Sequence, residues 1–258
     1  MSRPRRKPLS RIFLWPDTHA PWEDKVAFRA AIRALRAFKP DHLVIMGDFG
    51  DFYNVSRHVK SPEKSLRFFD EIKKVKARLK EIKKAAGRAK CHFVCGNHEN
   101  RLLKLLADKC EEVFEFITIP GVLGLDEMGF SYTSYGDHLC LGKLIITHDI
   151  GHAGETAHRI SLRKAGMSIA IGHTHRIGLV VEKQLMTGDT ITGAALGWLG
   201  DESAMTEYMP LAKVKRFAVH GFGVAYLLGD GTPIIVPVPI VGGQCVVEGK
   251  LIDGNKKS

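Results

Sequence analysis

Short apolar runs alternate with longer amphipathic stretches along the first 100 residues. Three of the short runs, at residues 11–15, 41–46 and 90–95, have the length and composition of buried strands. Between the first two, alanines and a phenylalanine recur at helical spacing over residues 23–38, and Pro40 ends that helix. The order strand, helix, strand predicts βαβ units with a parallel sheet.

A long helix is predicted between the second and third of these strands. It begins at Ser61 and Pro62, a favourable helix start, and ends at Gly87. Its apolar residues fall on one stripe of about six turns, which predicts that this face packs against the sheet. The stripe consists of Leu66, Phe69, Ile72, Val75, Leu79 and Ile82.

The second half of the chain is less regular. Residues 110–137 match neither period, and residues 194–210 carry glycines and a proline that predict an inserted loop. From residue 179 onward the pattern is typical of antiparallel strands joined by tight turns. We predict three further elements: strand-like runs around Gly142 within residues 139–147, a helix over 152–165 and a strand over 168–171.

The composition is that of an ordinary globular chain: 258 residues, of which 45% are hydrophobic and 26% charged. We place one large α/β domain at residues 11–253, between a basic N-terminal tail at 1–10 and a polar C-terminal tail at 254–258. No apolar stretch approaches the roughly 20 residues of a membrane-spanning helix. Five scattered cysteines without a C-x-x-C pair favour reduced thiols, so we expect a cytoplasmic protein.

The net charge of +10 is concentrated in two parts of the chain. Residues 1–11 carry five Lys or Arg and no acid, and residues 60–90 carry twelve against four acids, so the rest of the chain is slightly acidic. Local basicity of this kind suggests an anionic partner such as nucleic acid, bound through the tail and the helix at 63–86. A solvated helix face and a solubilising tail would explain the same charges without a partner.

Residues of the types that bind metals follow five of the strand-like runs directly. Because the carboxyl ends of parallel strands meet at one edge of a sheet, these five clusters are expected to converge. Together they supply carboxylates, an amide and imidazoles, which is more than a single ion needs. The clusters are Asp17-x-His19, Gly47-Asp48, Gly96-Asn97-His98-Glu99, His148 and Gly172-His173-x-His175.

This ligand set indicates a pair of divalent ions about 3.5–4 Å apart. Oxygen and imidazole donors without thiolate suit Mn²⁺, Fe, Zn²⁺ or Ni²⁺, of which we favour Mn²⁺. A carboxylate between two cations offsets their repulsion, and Asp48 is the natural bridge because it stands alone at its strand end. Gly47, Gly96 and Gly172, beside the ligands, permit tight turns and close backbone approach.

The five clusters also resemble a known set of motifs. Written as D-x-H, G-D, G-N-H-E, H and G-H-x-H, in this order over residues 17–175, they are similar to the calcineurin-like metallophosphoesterase superfamily. The resemblance implies a four-layer αββα sandwich of two mixed β-sheets flanked by helices, with a dinuclear metal site at the strand ends. The stretch G-D-F-G-D-F-Y at 47–53 further resembles phage- and prophage-encoded members.

The resemblance implies a role for each cluster. It implies a first metal held by Asp17, His19, Asp48 and His175, and a second metal held by Asp48, Asn97, His148 and His173. It also implies that a hydroxide bridging both ions attacks the phosphorus in line, because two cations lower the pKa of bound water. His98 is then the proton donor to the leaving oxygen.

Two further residues are catalytic candidates through the same resemblance. Asp51 has the spacing at which serine/threonine protein phosphatases pair an aspartate with the catalytic histidine, so it would fix the tautomer of His98 and raise its pKa. Arg101 is a candidate phosphate-binding arginine. The sequence departs from that branch, because Phe52 replaces an arginine and Ala20 replaces the glycine that ends the first motif. These departures disfavour a protein phosphatase.

The sequence therefore predicts a metal-dependent phosphoesterase that acts on a phosphorylated substrate, either a phosphomonoester or a phosphodiester. One alternative is a nuclease or nucleic-acid end-processing enzyme, which the basic segments favour, and another is a serine/threonine-type protein phosphatase. A non-catalytic binding protein on the same scaffold is disfavoured because none of the ligands is missing. Loops at 49–60, 110–137 and 194–210 are expected to select the leaving group.

Overall fold

The computed structural model describes residues 9–56, 66–205 and 217–256 of the chain. Within these ranges the strands, in chain order, are β1 Ser10–Trp15, β2 His42–Ile45, β3 Lys90–Val94, β4 Phe130–Thr133, β5 Leu139–Leu141, β6 Leu144–Thr147, β7 Ser168–Ile171, β8 Ile177–Lys183, β9 Thr190–Leu196, β10 Gly221–Leu227, β11 Pro233–Pro239, β12 Gln244–Val247 and β13 Lys250–Asp253. The helices are α1 Lys25–Phe38, α2 Phe68–Ala86, α3 Asn97–Lys109, α4 Glu111–Phe114, α5 Ile119–Leu123, α6 Ala157–Ala165 and α7 Glu202–Met205, with a 3₁₀ turn at Tyr53–Val55.

The strands form two large sheets, both mixed. Sheet 1 has the order β11-β10-β1-β2-β3-β4, in which β1 to β4 run parallel and β10 and β11 are antiparallel. Sheet 2 has the order β5-β6-β7-β9-β8, with β6, β7 and β9 parallel and the two edge strands antiparallel. Strands β12 and β13 form a separate hairpin.

Three apolar clusters separate four layers. Between the sheets, Ile12 and Val44 of sheet 1 pack in one cluster with Ile146 and Ala170 of sheet 2. The other face of sheet 1 is covered by α1, α2, α3 and α5, and the outer face of sheet 2 by α6. Burial of these apolar side chains is the dominant favourable term in folding. The expected αββα sandwich is confirmed.

Helix α1 shows how local sequence sets the ends of an element. Asp24 caps it, because its Oδ1 accepts hydrogen bonds from two backbone N–H groups of the first turn at 2.9 and 2.7 Å. Lys39 follows its last residue in the left-handed conformation, with a φ of 50°. The helix expected at 23–38 therefore begins two residues later than predicted, just after its cap.

Helix α2 begins at Phe68, and its predicted start at Ser61 and Pro62 lies outside the described residues. Most of the predicted apolar stripe is buried against sheet 1, with Val75 at its centre. Phe69 is the exception, since its side chain is 74% exposed. At 3.6 residues per turn it lies about 120° around the helix from Val75, on a flank rather than on the sheet-facing side.

Two predictions for the second half of the chain need correction. The helix expected over 152–165 begins only at Ala157, because Gly151 and Gly154 adopt positive φ angles of 81° and 133°. The segment left unassigned at 110–137 contains α4, α5 and β4. These short elements carry too few residues to show a clear period.

The loop expected at 194–210 is also shorter than predicted. Its first three residues belong to β9 and are buried, because β9 runs through the middle of sheet 2. Residues 206–216 lie outside the described part of the chain. Gly254, placed by the prediction in the polar tail, is buried, and its carbonyl oxygen accepts a hydrogen bond from Nε of Arg29 in α1 at 2.9 Å.

Membrane and thiol features agree with the sequence pattern. Within the described ranges, no helix has both the length and the apolar character needed to cross a bilayer. All five cysteines are free thiols: Cys91, Cys95 and Cys245 are buried, and Cys110 and Cys140 are exposed.

Candidate metal centre

The predicted metal ligands lie beyond the carboxyl ends of five strands, three in sheet 1 and two in sheet 2. Parallel strands end at the same edge of a sheet, and the two sheets stack with these edges together. The structure therefore brings all seven side chains to one place. Asp17 and His19 follow β1, Asp48 follows β2, Asn97 follows β3, His148 follows β6, and His173 and His175 follow β7.

The first ligand group consists of Asp17, His19 and His175, all of which are buried. Nε2 of His19 lies 3.1 Å from Nε2 of His175, which in turn lies 3.3 Å from Oδ2 of Asp17. One candidate ligand atom from each residue lies within 4.8 Å of the others. Two imidazoles and a carboxylate this close together fit a divalent transition-metal ion.

The second ligand group consists of Asp48, His148 and His173, with Asn97 between the two histidines. Nε2 of His148 lies 3.3 Å from Oδ2 of Asp48 and 2.9 Å from Oδ1 of Asn97. Nδ1 of His173 is also 2.9 Å from that amide oxygen. Asp48 comes within the same 4.8 Å limit of His19, so its carboxylate lies between the two groups, where a bridging ligand is expected.

Four of these residues stand on strained backbone. His19, Asp48, His173 and His175 have φ angles of 53°, 46°, 63° and 54°, in the left-handed region that side chains other than glycine rarely adopt. Each such conformation costs on the order of 1–3 kcal/mol and persists only where the surroundings impose it. Strain collected at one edge of the fold is typical of a functional site.

Backbone hydrogen bonds hold several ligands in place. Nδ1 of His148 donates to the carbonyl oxygen of Met46 at 2.9 Å, which leaves Nε2 to face the other ligands. The backbone N–H of His173 donates to both carboxylate oxygens of Asp17, at 3.1 and 3.0 Å. A ligand of sheet 2 is thereby attached directly to one of sheet 1.

Glycine is required at two positions by the close approach of the ligands. A Cβ on Gly96 would lie 2.2 Å from both the backbone N and Oδ1 of Asp48. A Cβ on Gly47 would lie 2.6 Å from Nδ1 of His148, and Gly47 also has a φ of 88°. Any other residue at these positions would push a ligand out of place.

Glu99 is a buried residue to which the sequence argument gave no role. Its Oε2 accepts the backbone N–H groups of Asp48 and Gly96 at 3.0 and 2.9 Å, and Oε1 accepts that of Gly50 at 2.9 Å. It thus ties together the loops after β2 and β3. Burial, and then the Asp48 carboxylate, raise the pKa of Glu99 to about 7. Its place as the third residue of a helix, from which glutamates reach back to the cap, was the available signal.

Trp198 is a second residue that the sequence argument missed. Its ring stacks on His175, with centroids 4.7 Å apart and planes 13° apart, and meets the ring of His19 at 6.2 Å. Its backbone forms a bridge with Asp17. Trp198 therefore forms a rigid wall beside the first ligand group. It falls in the segment predicted as an inserted loop, so no local pattern indicates this role.

The charges of the cluster compensate one another. Burial alone would raise the pKa of Asp48, but the imidazoles of His148 and His98 outweigh it and hold the pKa well below its ordinary value. Burial lowers the pKa of His148, but Asp48 and then Asp17 outweigh it and raise that pKa to about 10. The carboxylates therefore need positive charge beside them, and metal ions would supply it in place of protons.

His98 lies between Asp51 and Arg101. Its Nδ1 is 3.0 Å from Oδ1 of Asp51 and 2.8 Å from the carbonyl oxygen of the same residue. Nη2 of Arg101 donates to Nε2 of His98 at 2.7 Å, and because a guanidinium only donates, the ring proton is on Nδ1. Burial lowers the pKa of His98, but Asp48 and Asp51 outweigh it and leave the pKa above its ordinary value.

Asp51 contacts a second imidazole as well. Its Oδ1 lies 3.1 Å from Nδ1 of His19, so one carboxylate joins a candidate metal ligand to the candidate proton donor His98. Burial raises the pKa of Asp51, but hydrogen bonds from both imidazoles outweigh it and hold the pKa well below its ordinary value. The motif comparison suggested only the contact with His98.

Two phage proteins are similar to this chain over nearly its whole length. The gene 54 protein of Mycobacterium phage L5 is 26% identical over 265 residues, which cover 93% of this chain and 98% of the phage protein. The gene 54 protein of Mycobacterium phage D29 is 27% identical over 258 residues, which cover 93% and 97%. Among solved structures, TT1561 of Thermus thermophilus covers 89% of this chain and 99% of its own, at 8% identity and a TM-score of 0.37, too low to carry an argument.

The family match spans most of the sandwich. The family model described as calcineurin-like phosphoesterase matches residues 10–177, from the first strand to just beyond the last candidate ligand. This span is well over half of the chain and contains all seven ligands together with His98 and Arg101. The chain therefore belongs to the calcineurin-like phosphoesterase family.

Proposed function

We propose that the protein hydrolyses phosphomonoesters or phosphodiesters with the help of two divalent metal ions. The observation that carries the proposal is the convergence of two carboxylates, one amide and four imidazoles, drawn from both sheets, at one edge of the molecule. Family membership supports metal-dependent phosphoester hydrolysis in general. When bound, two such ions supply a hydroxide nucleophile and neutralise the charge of the phosphoryl group.

The two ligand groups divide the ions between them. Asp48 belongs to both sets, because its carboxylate lies between the groups. Carboxylate and amide oxygens combined with imidazole suit Mn²⁺ best, and Fe, Zn²⁺ and Ni²⁺ share this preference in part. One ion would be held by Asp17, His19, Asp48 and His175, and the other by Asp48, Asn97, His148 and His173.

His98 would donate the proton to the leaving oxygen. Its backbone N–H donates to Oδ1 of Asp48 at 2.8 Å, which places it beside the candidate bridging carboxylate. Asp51 holds the Nδ1 proton and so turns Nε2 toward the ligands, 3.6 Å from Oδ2 of Asp48. Asp51 is in this account a positioning residue, whereas His98 acts on the substrate itself.

Arg101 would bind the phosphate of the substrate. Its Nη1 donates to the carbonyl oxygen of Asp51 at 3.1 Å, while Nη2 donates to Nε2 of His98. A phosphate is a stronger partner for a guanidinium than a neutral imidazole is. Substrate binding would therefore draw Nη2 away from His98 and free Nε2 to carry the proton that it delivers.

A serine/threonine-type protein phosphatase is supported less well. Phe52, at the position where that branch has an arginine, is fully buried, and its ring lies 5.9 Å from that of Phe68. An apolar contact thus takes the place of a cation beside the site. A nuclease or end-processing enzyme would use the same metal chemistry, so the choice between the remaining alternatives depends on the substrate.

The proposal is tested by turnover of para-nitrophenyl phosphate and of its bis-ester after Mn²⁺ is added to metal-free protein. We expect turnover with the metal and none with a chelator. Asp48→Asn should lower the metal content and remove most of the activity, because one carboxylate serves both ions. Turnover of the monoester alone would indicate a phosphatase, and turnover of the bis-ester a diesterase or nuclease.

The exposed Asp189 provides a matched control, because Asp189→Asn makes the same change in the turn between β8 and β9. It should leave both turnover and metal content unchanged. Full activity of Asp48→Asn would contradict the bridging role. No turnover of either ester with Mn²⁺, Fe, Zn²⁺ or Ni²⁺ would contradict the hydrolase.

A further inference from the structure

Helix α2 separates its charged residues onto two flanks. At 3.6 residues per turn, positions three, four and seven residues apart share one side of a helix. One such row contains no acid at all, and we call it the lysine flank. The lysine flank consists of Phe69, Lys73, Lys76, Lys80 and Lys83.

The acids of α2 lie elsewhere on the helix and are already engaged. Oδ2 of Asp70 lies 3.2 Å from Nε of Arg67, and Oε2 of Glu81 lies 2.9 Å from Nη1 of Arg78. Glu71 is buried and accepts a backbone N–H at 3.0 Å. None of the three is directed at the lysine flank.

The ammonium groups of the lysine flank form no ion pair within the described part of the chain. Lys73 and Lys80 are exposed, and Lys76 is half-buried. Lys76 and Glu127, on the segment after α5, both approach Gly124, but no ion pair joins them. Nζ of Lys83 lies 5.6 Å from the ring centroid of Phe130. The flank therefore keeps uncompensated positive charge at its surface.

A groove of about 410 Å³ runs along the lysine flank. Its lining residues are Phe69, Ile72, Lys73, Lys76, Ala77 and Lys80. The 74% exposed ring of Phe69 stands at the end of the groove nearest the candidate metal centre. That position follows because the adjacent Phe68 packs on Phe52, the neighbour of Asp51.

We propose that this groove binds single-stranded nucleic acid, with phosphates on Lys73, Lys76 and Lys80 and a base stacked on Phe69. A basic groove with an exposed aromatic ring is the arrangement that binds single strands without regard to sequence. A duplex offers no free base face to Phe69, and one exposed aromatic ring is a small anchor for a membrane surface. The strand would enter the metal edge at the Phe69 end. This last step rests on the proposed function, whereas binding to the groove does not.

Fluorescence anisotropy of a labelled oligothymidylate of about 20 nucleotides, with the full chain and in the presence of a chelator, tests the proposal. The binding constant is measured between about 50 and 200 mM salt. The triple variant Lys73→Gln, Lys76→Gln, Lys80→Gln should bind roughly tenfold or more weakly at the low end. Its plot of log K against log salt should be shallower by about 2, since each phosphate contact to a single strand contributes about 0.7.

Two further variants separate the groove from net charge. Lys74→Gln, Lys183→Gln, Lys250→Gln removes the same three charges from exposed positions off the groove and should bind within about twofold of the unaltered chain. Phe69→Ala should weaken binding about fivefold or more without changing the salt slope, because stacking releases no counterions.

Several results would overturn the groove as the binding surface. They are equal losses in the two triple variants, loss of binding on deletion of residues 2–8 while the groove triple still binds, tighter binding of duplex, and binding of anionic vesicles but not of the oligonucleotide. Because the measurement is made with chelator present, failure of the hydrolase proposal would not affect it. An oligonucleotide that binds but stays intact when Mn²⁺ is restored would support the groove and contradict its link to the metal centre.

Discussion

At the residue scale, the partner of one ring nitrogen decides what each histidine of the metal edge can do with the other. Nδ1 of His148 is occupied by a backbone carbonyl, so Nε2 is available as a ligand. Nδ1 of His98 is occupied by Asp51, and its Nε2 meets Arg101 instead of a ligand group of its own. Identical side chains at the same edge of the fold therefore receive different tasks from their hydrogen bonds.

His98→Ala tests the proton-donor role. We expect the turnover rate to fall by about 10²- to 10⁴-fold, the usual contribution of a general acid. The metal content, measured by elemental analysis, should stay the same, because the His98 backbone N–H that binds Asp48 is retained. The same substitution at the exposed His138 should leave both unchanged. Loss of metal together with activity would make His98 a ligand rather than a proton donor.

At the scale of elements, the turn between β3 and α3 positions the centre more than any other connection. Asn97 and His98 are the first two residues of α3, so the helix itself directs them at the ligand groups. Its N-terminus also carries partial positive charge next to the Asp48 carboxylate. Glu99, one residue further on, fastens this turn to the loop after β2. Four adjacent residues thereby serve as turn, ligand, proton donor and clamp.

Gly96→Ala tests how closely this turn must approach the loop after β2. The added methyl would lie 2.2 Å from two atoms of Asp48, so the turn must move. We expect a loss of about 1–3 kcal/mol in the free energy of unfolding, seen as a melting temperature lower by roughly 2–12 °C, together with reduced metal content. Gly121→Ala in α5 is the control, because its methyl meets only the Thr118 hydroxyl, at 3.1 Å. Equal stability of the two variants would contradict the close approach.

At the scale of the whole molecule, the candidate centre lies across the interface between the two sheets. Asp17, Asp48 and Asn97 follow strands of sheet 1, whereas His148 and His173 follow strands of sheet 2. Deeper in the sandwich the sheets are held by apolar packing, and at this edge by the ligands. Ions bound here would therefore join the two halves of the fold.

Metal removal should consequently lower the stability of the entire chain. A ligand present at about 1,000 times its dissociation constant stabilises the native state by about 4 kcal/mol. For a domain of this size, that corresponds to a melting temperature roughly 8–16 °C lower with chelator than with saturating Mn²⁺. The difference should shrink strongly in Asp48→Asn and remain in Asp189→Asn. A melting temperature independent of Mn²⁺ would contradict binding between the sheets.

The sequence by itself determined the βαβ order, the identity of the seven ligands and the candidate proton donor. These features are local: a strand, a turn and a polar pair such as Asn97 and His98 occupy adjacent positions, and their residue types state their chemistry directly. The family match over residues 10–177 agrees with that interpretation. Helix boundaries after glycines and the exposure of Phe69 were predicted less well, because periodicity averages over a whole stripe.

Only the tertiary structure decided how the ligands group and what surrounds them. His19 and His175 are 156 residues apart in sequence, yet their ring nitrogens lie 3.1 Å apart. The stacking of Trp198 on His175, and the contact of Asp51 with both His19 and His98, are equally non-local. Such contacts form when two sheets pack face to face. Packing leaves no period in the sequence, because the residues that meet belong to segments folded independently of one another's spacing.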